Sequence, residues 1–289
     1  MDKQRLRILL QNLQKLPTLP VALTAIINIA NQPSSSASDL GKVITHDPSI
    51  SSRLLRLVNS AFYGHFREIS SIPHAVVILG FRTVKEMAMG VSFFNMSKSS
   101  GSGSAFDHKK FWIHCVAVGV CAKHLSGVGN AKGVLDRDSA FVCGLLHDIG
   151  KIALFCCFEI EYEGVIKTAK EECRLIYDVE REVIEIDHCE AGLILTRKWQ
   201  FPQFVPDVIG RHHEPMLKDD AIALPAGLIQ VSDHICRKIK IGSGGDDVET
   251  APAGEIFEMC GFDDKIMEDA IVEMEEHRED IESFVGELG

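Results

Sequence analysis

The chain has 289 residues, with 30 Lys+Arg against 41 Asp+Glu, a formal net charge of −11 and a pI near 5.5. That balance argues against a general nucleic-acid or anionic-membrane binder, which needs a basic surface. A composition of 46% apolar and 25% charged residues excludes a wholly disordered chain, and no uncharged apolar window is long enough to predict a transmembrane helix.

The opening stretch MDKQRLRILLQNLQKLP is charged and periodic, without a cleavage-type segment, so no secretory leader is expected. Apolar residues recur at helical spacing at Leu6, Leu9, Leu10, Leu13 and Leu16, then at Val21, Ala25, Ile26 and Ile29, with Pro17 and Pro20 as breaks between. Asp47-Pro48 predicts an N-cap and first helical residue, and this accounts for the pair His46-Asp47 without a metal. Gly64 closes that region. Ser71 to Met96 predicts two helices meeting near Gly80, and SSGSGS at 99–104 has linker composition. Helical patterning resumes near Phe106 and runs to about Lys240. GSGGDD at 242–247 predicts a second flexible joint, and two short acidic helices follow from about Gly254. No alternating strand pattern appears, so the fold expected is all-α.

Nine cysteines, an odd number with no C-x-x-C pair, fit a reducing cytoplasm without structural disulfides. Cys115, Cys121, Cys143 and Cys189 are expected as packing residues, as are Cys156 and Cys157. The charge is unevenly spread. Residues 1–98 hold 11 basic and 5 acidic groups, 99–245 hold 17 and 20, and 246–289 hold 2 and 16. The acidity therefore belongs to the tail, and the N-terminal region is mildly basic through residues such as Arg53, Arg56, Arg67, Arg82 and Lys85.

The strongest local feature is Leu145-Leu146-His147-Asp148-Ile149-Gly150-Lys151. Adjacent His and Asp on a helix offer an imidazole and a carboxylate to a divalent cation, and a carboxylate can bridge two. Lys151, three residues past Asp148, shares its helical face and suits a phosphate oxygen. The pair does not stand alone. His114, His188, His212-His213 and Asp233 each sit in or beside an apolar helical segment, and burying so many ionisable groups is costly unless they share a metal. His234 is a weaker candidate for a supporting role.

The order His114, His147-Asp148, Asp233 resembles the ligand pattern of the HD superfamily of metal-dependent phosphohydrolases. His188 and His212-His213 resemble the extended set of the HD-GYP cyclic-dinucleotide phosphodiesterases. The segments LPTLPVALTAIINIA, THDPSISSRLLRLVNSAFYG and ISSIPHAVVILGFRTVKEMAMG are similar to the HDOD family (HD-related output domain), and that resemblance runs from about Leu16 to about Lys240. It implies an N-terminal helical part over 1–98 packed on an HD-like metal-binding domain over 105–241, with the linker at 99–104 and an acidic helical tail over 242–289. It also implies one metal held by His114, His147, Asp148 and Asp233, a second held by His188, His212 and His213 with Asp148 bridging, and a phosphate contact from Lys151. The chain departs from the HD-GYP pattern in lacking a GYP segment after the double His and in carrying Lys110 four residues before His114, so cyclic di-GMP hydrolysis and a third metal are not expected.

All-His/carboxylate ligation suits iron or manganese first, with zinc, nickel or cobalt as alternatives. Two functions follow from the resemblance. One is a cytoplasmic signal-transduction output module that binds a nucleotide, a phosphorylated small molecule or a signalling protein. The other is an active phosphohydrolase or phosphodiesterase, with Lys151 and Asp148 as its catalytic groups. A di-iron redox or oxygen sensor is a third reading, resting on ligand type alone.

Overall fold

The computed structural model describes residues 21–30, 32, 35–63, 68–92, 94, 105–214, 221–246 and 248–288. The helix expected over Leu6–Leu16, the breaks at Pro17 and Pro20, the stop at Gly64, Arg67 and the 99–104 linker lie outside these residues. Among the described residues the fold is all-α, as expected, and its β-type pairing is an isolated bridge between Lys132 and Leu135.

The chain forms two compact units. One holds the described residues of 17–98 together with 279–288, and the other holds those of 99–278. The acidic C-terminal segment is thus divided between them at Arg278.

The first unit contains α1 (Val21–Ala30), α2 (Ala37–Thr45), α3 (Pro48–Val58), α4 (Ile72–Leu79) and α5 (Phe81–Ser92). Local sequence sets their starts. Ser36 and Asp39 form a reciprocal capping box before α2, and Asp47 accepts from the Ser49 and Ile50 amides at 2.9 and 3.0 Å before Pro48 opens α3. Gly80, at φ +86°, turns the chain between α4 and α5. Leu40, Ile44, Leu54, Leu57, Val84 and Met87 form the core, and Phe284 from the C-terminal helix meets Phe62 edge-on at 5.4 Å. Basic residues pair with acidic ones within this unit. Arg82 reaches the buried Glu86 at 3.0 Å, and Arg56 reaches Glu287 at 3.6 Å.

The second unit runs α6 (His108–Leu125), α7 (Arg137–Leu146), α8 (Ile149–Cys157), α9 (Glu159–Glu171), α10 (Ile176–Val183), α11 (His188–Lys198), α12 (Phe204–Ile209), α13 (Ala223–Lys238), α14 (Gly254–Cys260) and α15 (Asp264–Glu276); α16 (Arg278–Leu288) carries the chain back to the first unit. Three acidic-region helices therefore stand where two were expected. Gly261, left-handed at φ +66°, ends α14, and the chain breaks again at His277, between α15 and α16. Arg137–Cys157 is long and apolar enough to cross a membrane by length and composition, but its most apolar window is 89% buried in the protein and the helix breaks at His147-Asp148. Cys115, Cys121, Cys143 and Cys189 are buried, whereas Cys156 and Cys157, expected in the core, are half-buried on α8.

Two close helix approaches position the site. A Cβ on Gly144 would lie 2.7 Å from the Gly119 Cα and the Val118 carbonyl, so α7 meets α6 nearly backbone to backbone. A Cβ on Gly150 would collide with the His188 carbonyl, so α8 is pressed against the start of α11. The first approach sets His147 beside His114, and the second sets Asp148 beside His188. Gly144→Ala is expected to lower the thermal midpoint by roughly 5 °C, since overpacking a rigid backbone crossing costs about 1–3 kcal/mol. An unchanged midpoint in a calorimetric scan would show that the crossing can relax.

Candidate metal centre

His147 and Asp148 do not lie within one continuous helix, as the sequence suggests. α7 ends at Leu146 and α8 starts at Ile149, with Asp148 at φ −97°, ψ 8° in the joint. The break has a geometric consequence. Neighbours on a regular helix point about 100° apart, whereas here both side chains turn into one centre, with His147 Nε2 3.4 Å from Asp148 Oδ2.

The other candidates converge on the same place from separate helices. His114 of α6 stands 3.0 Å from Asp233 Oδ1 of α13 and 3.9 Å from Asp148 Oδ2, both measured from its Nε2. His147 Nε2 lies 3.8 Å from Asp233 Oδ1. On the opposite side, Asp148 Oδ1 is 3.2 Å from His188 Nε2 and 3.7 Å from His212 Nε2. The two carboxylate oxygens of Asp148 thus face different histidine groups, His114 with His147 and His188 with His212. His213 is half-buried in the second group, its ring 4.2 Å from that of His212 and 5.1 Å from that of His188. Cys189, expected only to pack, belongs to that group as well, with Sγ 3.6 Å from His212 Nδ1.

Hydrogen bonds fix which nitrogen faces inward. His147 Nδ1–H donates to the Gly144 carbonyl at 2.7 Å, and His212 Nδ1–H donates to the Ile209 carbonyl at 2.7 Å. Only a protonated Nδ1 can donate to a carbonyl, so in its neutral form each of these two rings turns an Nε2 lone pair to the centre. His188 Nδ1 is held by Glu180 Oε2 at 2.6 Å. Glu180 also accepts from the His188 amide at 2.8 Å, and its other oxygen accepts from Tyr162 at 2.7 Å.

Among the described residues the inward atoms have no hydrogen-bond partner. Nε2 of His114, His147 and His188 and Oδ1 of Asp148 are buried without a hydrogen bond; the 3.0 Å approach of His114 to Asp233 is out of line for one. Orphaned buried polar atoms are costly, and four aimed at one centre suit a cation. Ligand atoms about 2.0–2.2 Å from an ion stand roughly 3.0–3.5 Å from one another, which is close to the spacing here. The His/Asp cluster therefore suggests a divalent metal.

Charge balance supports the geometry. Burial pushes the Asp148 carboxyl up, but His147, Lys151 and His188 outweigh it and hold the group well below the usual carboxylate range. Burial likewise opposes ionisation of Asp233, and Arg237 with His114 overcomes it. Burial lowers His212 to about 4, keeping its ring neutral and available as a ligand. Lys151 is fully buried, its Nζ 2.6 Å from Asp148 Oδ2 and 2.8 Å from the Gly244 carbonyl.

Several residues at the site carry no role in the sequence reading. Arg237 forks onto Asp233 with two 3.0 Å bonds from Nε and also pairs with Asp246. Its spacing of four from Asp233 on one helix is the available signal. Glu180, Tyr162 and Gly244 have none, because their roles depend on contacts distant in sequence. Asp246, the first residue of the acidic segment, reaches the site through this pair. His234 lies off the centre and donates to the Thr250 carbonyl at 3.1 Å.

The HDOD domain family matches residues 16–215. An uncharacterized protein of Treponema pallidum (strain Nichols) is 26% identical over 200 residues, covering 68% of this chain and 37% of that protein. Ribonuclease Y of Thermus thermophilus is 34% identical over 112 residues, covering 39% of this chain and 14% of that protein. The chain spans well under half the length of these relatives. Among solved structures, an HDOD domain protein of Geobacter sulfurreducens superposes with a TM-score of 0.72 at 22% identity, covering 99% of both chains. A candidate phosphohydrolase of Shewanella amazonensis SB2B gives 0.72 at 24% identity over 98% of both chains, and a candidate metal-dependent phosphohydrolase of the same organism gives 0.63 at 18% identity over 97% of this chain and 99% of that one. At these identities the structural likenesses show the fold.

Proposed function

The chain belongs to the HDOD domain family, and on that premise we propose that it is a regulatory output module built around a dinuclear HD-type metal centre. His114, His147, Asp148 and Asp233 would hold one divalent ion and His188, His212 and His213 the other, with Asp148 bridging. Iron or manganese suits this oxygen and imidazole donor set first, with zinc, nickel and cobalt as alternatives. The ligand it answers to is a nucleotide or other phosphorylated small molecule, or a signalling protein. The observation that carries the metal reading is the convergence of four buried atoms that have no hydrogen-bond partner among the described residues, three of them imidazole nitrogens. The regulatory reading draws on closure, since His147, Asp148, Lys151, His188 and His212 have no exposed surface.

A second reading is a metal-dependent phosphohydrolase or phosphodiesterase, favoured by the ammonium of Lys151 beside Asp148. Divalent ions held here would supply Lewis-acid stabilisation of charge developing on a phosphoryl group. Lys151 would bind and orient a phosphoryl oxygen, Asp148 would keep Lys151 protonated, and the buried walls would exclude bulk water.

Metal analysis of protein purified without chelator separates these readings when paired with turnover assays on nucleotide monoesters and cyclic mono- and dinucleotides. About two ions per chain are expected in the wild type and a small fraction of that in His147→Ala. Metal-loaded protein inert toward all these substrates supports the regulatory reading. Turnover that disappears in His147→Ala would replace it with the hydrolytic one, and a metal content equal in both proteins would remove the centre from either.

A further inference from the structure

The segment after α13, Gly242–Asp246, has the composition of a loose joint, yet it is packed across the centre. Ser243 N–H donates to the Lys110 carbonyl at 3.0 Å, pinning the segment to α6. Gly242 and Gly245 adopt φ of +68° and +106°, backbone shapes that disfavour any side chain. A Cβ on Gly244 would stand 3.1 Å from Lys151 Nζ, 3.1 Å from an Arg237 nitrogen and 3.3 Å from Asp148 Oδ2, so the backbone itself fills the space beside the two cations.

Toward Lys151 and Arg237 the segment presents acceptors. The Gly244 carbonyl takes a bond from Lys151 at 2.8 Å. The Asp246 carboxylate takes one from Arg237 and, through its other oxygen, one from the Ile176 amide at 3.1 Å, in the first turn of α10. One carbonyl and one carboxylate therefore engage an ammonium, a guanidinium and a helix-start amide, a donor set suited to an oxyanion. A cleft of about 480 Å³ adjoins the segment and reaches Arg237 among these donors, with Lys240, Gly242, Gly244, Asp246 and Glu249 also in its lining.

We propose that Lys151, Arg237 and the Ile176 amide form an oxyanion site for a phosphate group, and that residues 242–246 are an internal strap whose Gly244 carbonyl and Asp246 carboxylate occupy that site until phosphate displaces them. Asp246 is the competitor. It carries the same sign of charge as phosphate and meets the same guanidinium. Cations held by Asp148 would draw its Oδ2 away from Lys151, leaving the ammonium more in need of an anion. The inference rests on the metal-centre reading for what an admitted phosphate meets, while the strap and its donors stand without it.

Inorganic phosphate is the probe, titrated calorimetrically into the full chain and into Asp246→Asn, with metal content measured on the same samples. Removing the internal carboxylate's charge is expected to tighten phosphate binding roughly tenfold, the reciprocal of an open fraction of about one in ten. The gain is expected to vanish in Asp246→Asn/Arg237→Gln. In the wild-type protein, saturating phosphate is expected to speed amide hydrogen exchange at 242–246, a measurement that needs no substitution. Phosphate affinity equal in Asp246→Asn and wild type, or exchange at 242–246 unchanged or slowed by phosphate, overturns the strap. Samples free of metal that still show the tenfold difference overturn the metal-centre reading alone.

Discussion

Asp148→Ala is expected to strip the centre of metal and to lower the thermal midpoint by roughly 10 °C, the larger loss among substitutions at the site. Asp148 faces both histidine groups, with Oδ1 3.2 Å from His188 and Oδ2 3.4 Å from His147, so its removal takes a donor from each. It is also the carboxylate partner of Lys151 at 2.6 Å, and both side chains are fully buried. Truncating one member of a buried pair leaves an uncompensated charge, at a cost of about 3–5 kcal/mol, and each kcal/mol lowers the midpoint of a chain this size by roughly 2–4 °C. Asp148→Asn keeps an oxygen for Lys151 and is expected to lose metal with a smaller fall in stability. The pH dependence has a definite sign. His147, Lys151 and His188 depress the folded carboxyl against burial, so its stabilising contribution is full above the unfolded value of about 3.9 and is lost as pH falls through the lower folded value. The stability gap between wild type and Asp148→Ala should therefore hold from pH 5 to 8 and shrink only in stronger acid (roughly below pH 4). Undiminished metal in Asp148→Ala, or a midpoint within about 2 °C of wild type, would show that Asp148 is neither ligand nor charge partner.

The sequence makes the helical class and most of the inward histidines legible for a physical reason. Helices impose a short apolar period that survives in the chain as written, and an ionisable residue in an apolar run is costly wherever the chain folds. His114 within FWIHCVAVGV and Asp233 after LIQVS are visible on that ground alone. What stays hidden depends on distant contacts. Glu180 lies in YDVEREV with nothing local to separate it from Glu182, which is exposed and paired with Arg174. The glycines at 242, 244 and 245 suggest looseness by composition, whereas close approach to Lys110 at Gly242, close approach to Arg237 and Lys151 at Gly244, and a φ of +106° at Gly245 call for them. The break at His147-Asp148 is hidden too, because a continuous apolar period runs across it from Phe141 to Phe155, and the two-helix geometry is set by α6 and α11 packing on either side.

Glu180→Ala should weaken metal binding by roughly 10–100-fold, the usual effect of removing the group that orients a ligating histidine. Glu180 touches none of the proposed ions. It acts on His188 by accepting from both the ring Nδ1 at 2.6 Å and the backbone amide at 2.8 Å. Without it the ring is free to rotate or to shift its proton to Nε2, the atom that faces Asp148. The same deletion leaves the Tyr162 hydroxyl and the His188 amide without an acceptor in a buried site, each at about 1–3 kcal/mol. Stability and metal affinity therefore fall together in Glu180→Ala, and a second pair of variants separates them. Tyr162→Phe removes a donor but leaves Glu180 on His188, so it should cost stability with little change in metal affinity. Glu180→Gln keeps one acceptor and should fall between wild type and alanine. Competition against a chromophoric chelator measures the affinities, and thermal scans of the same samples measure stability. If Tyr162→Phe weakens metal binding as much as Glu180→Ala does, general loosening of the α9–α10 packing explains both, and Glu180 has no separate orienting role. If only the Glu180 variants lose affinity, the carboxylate sets the direction of His188, and metal strength at the second histidine group is governed from outside the ligand set.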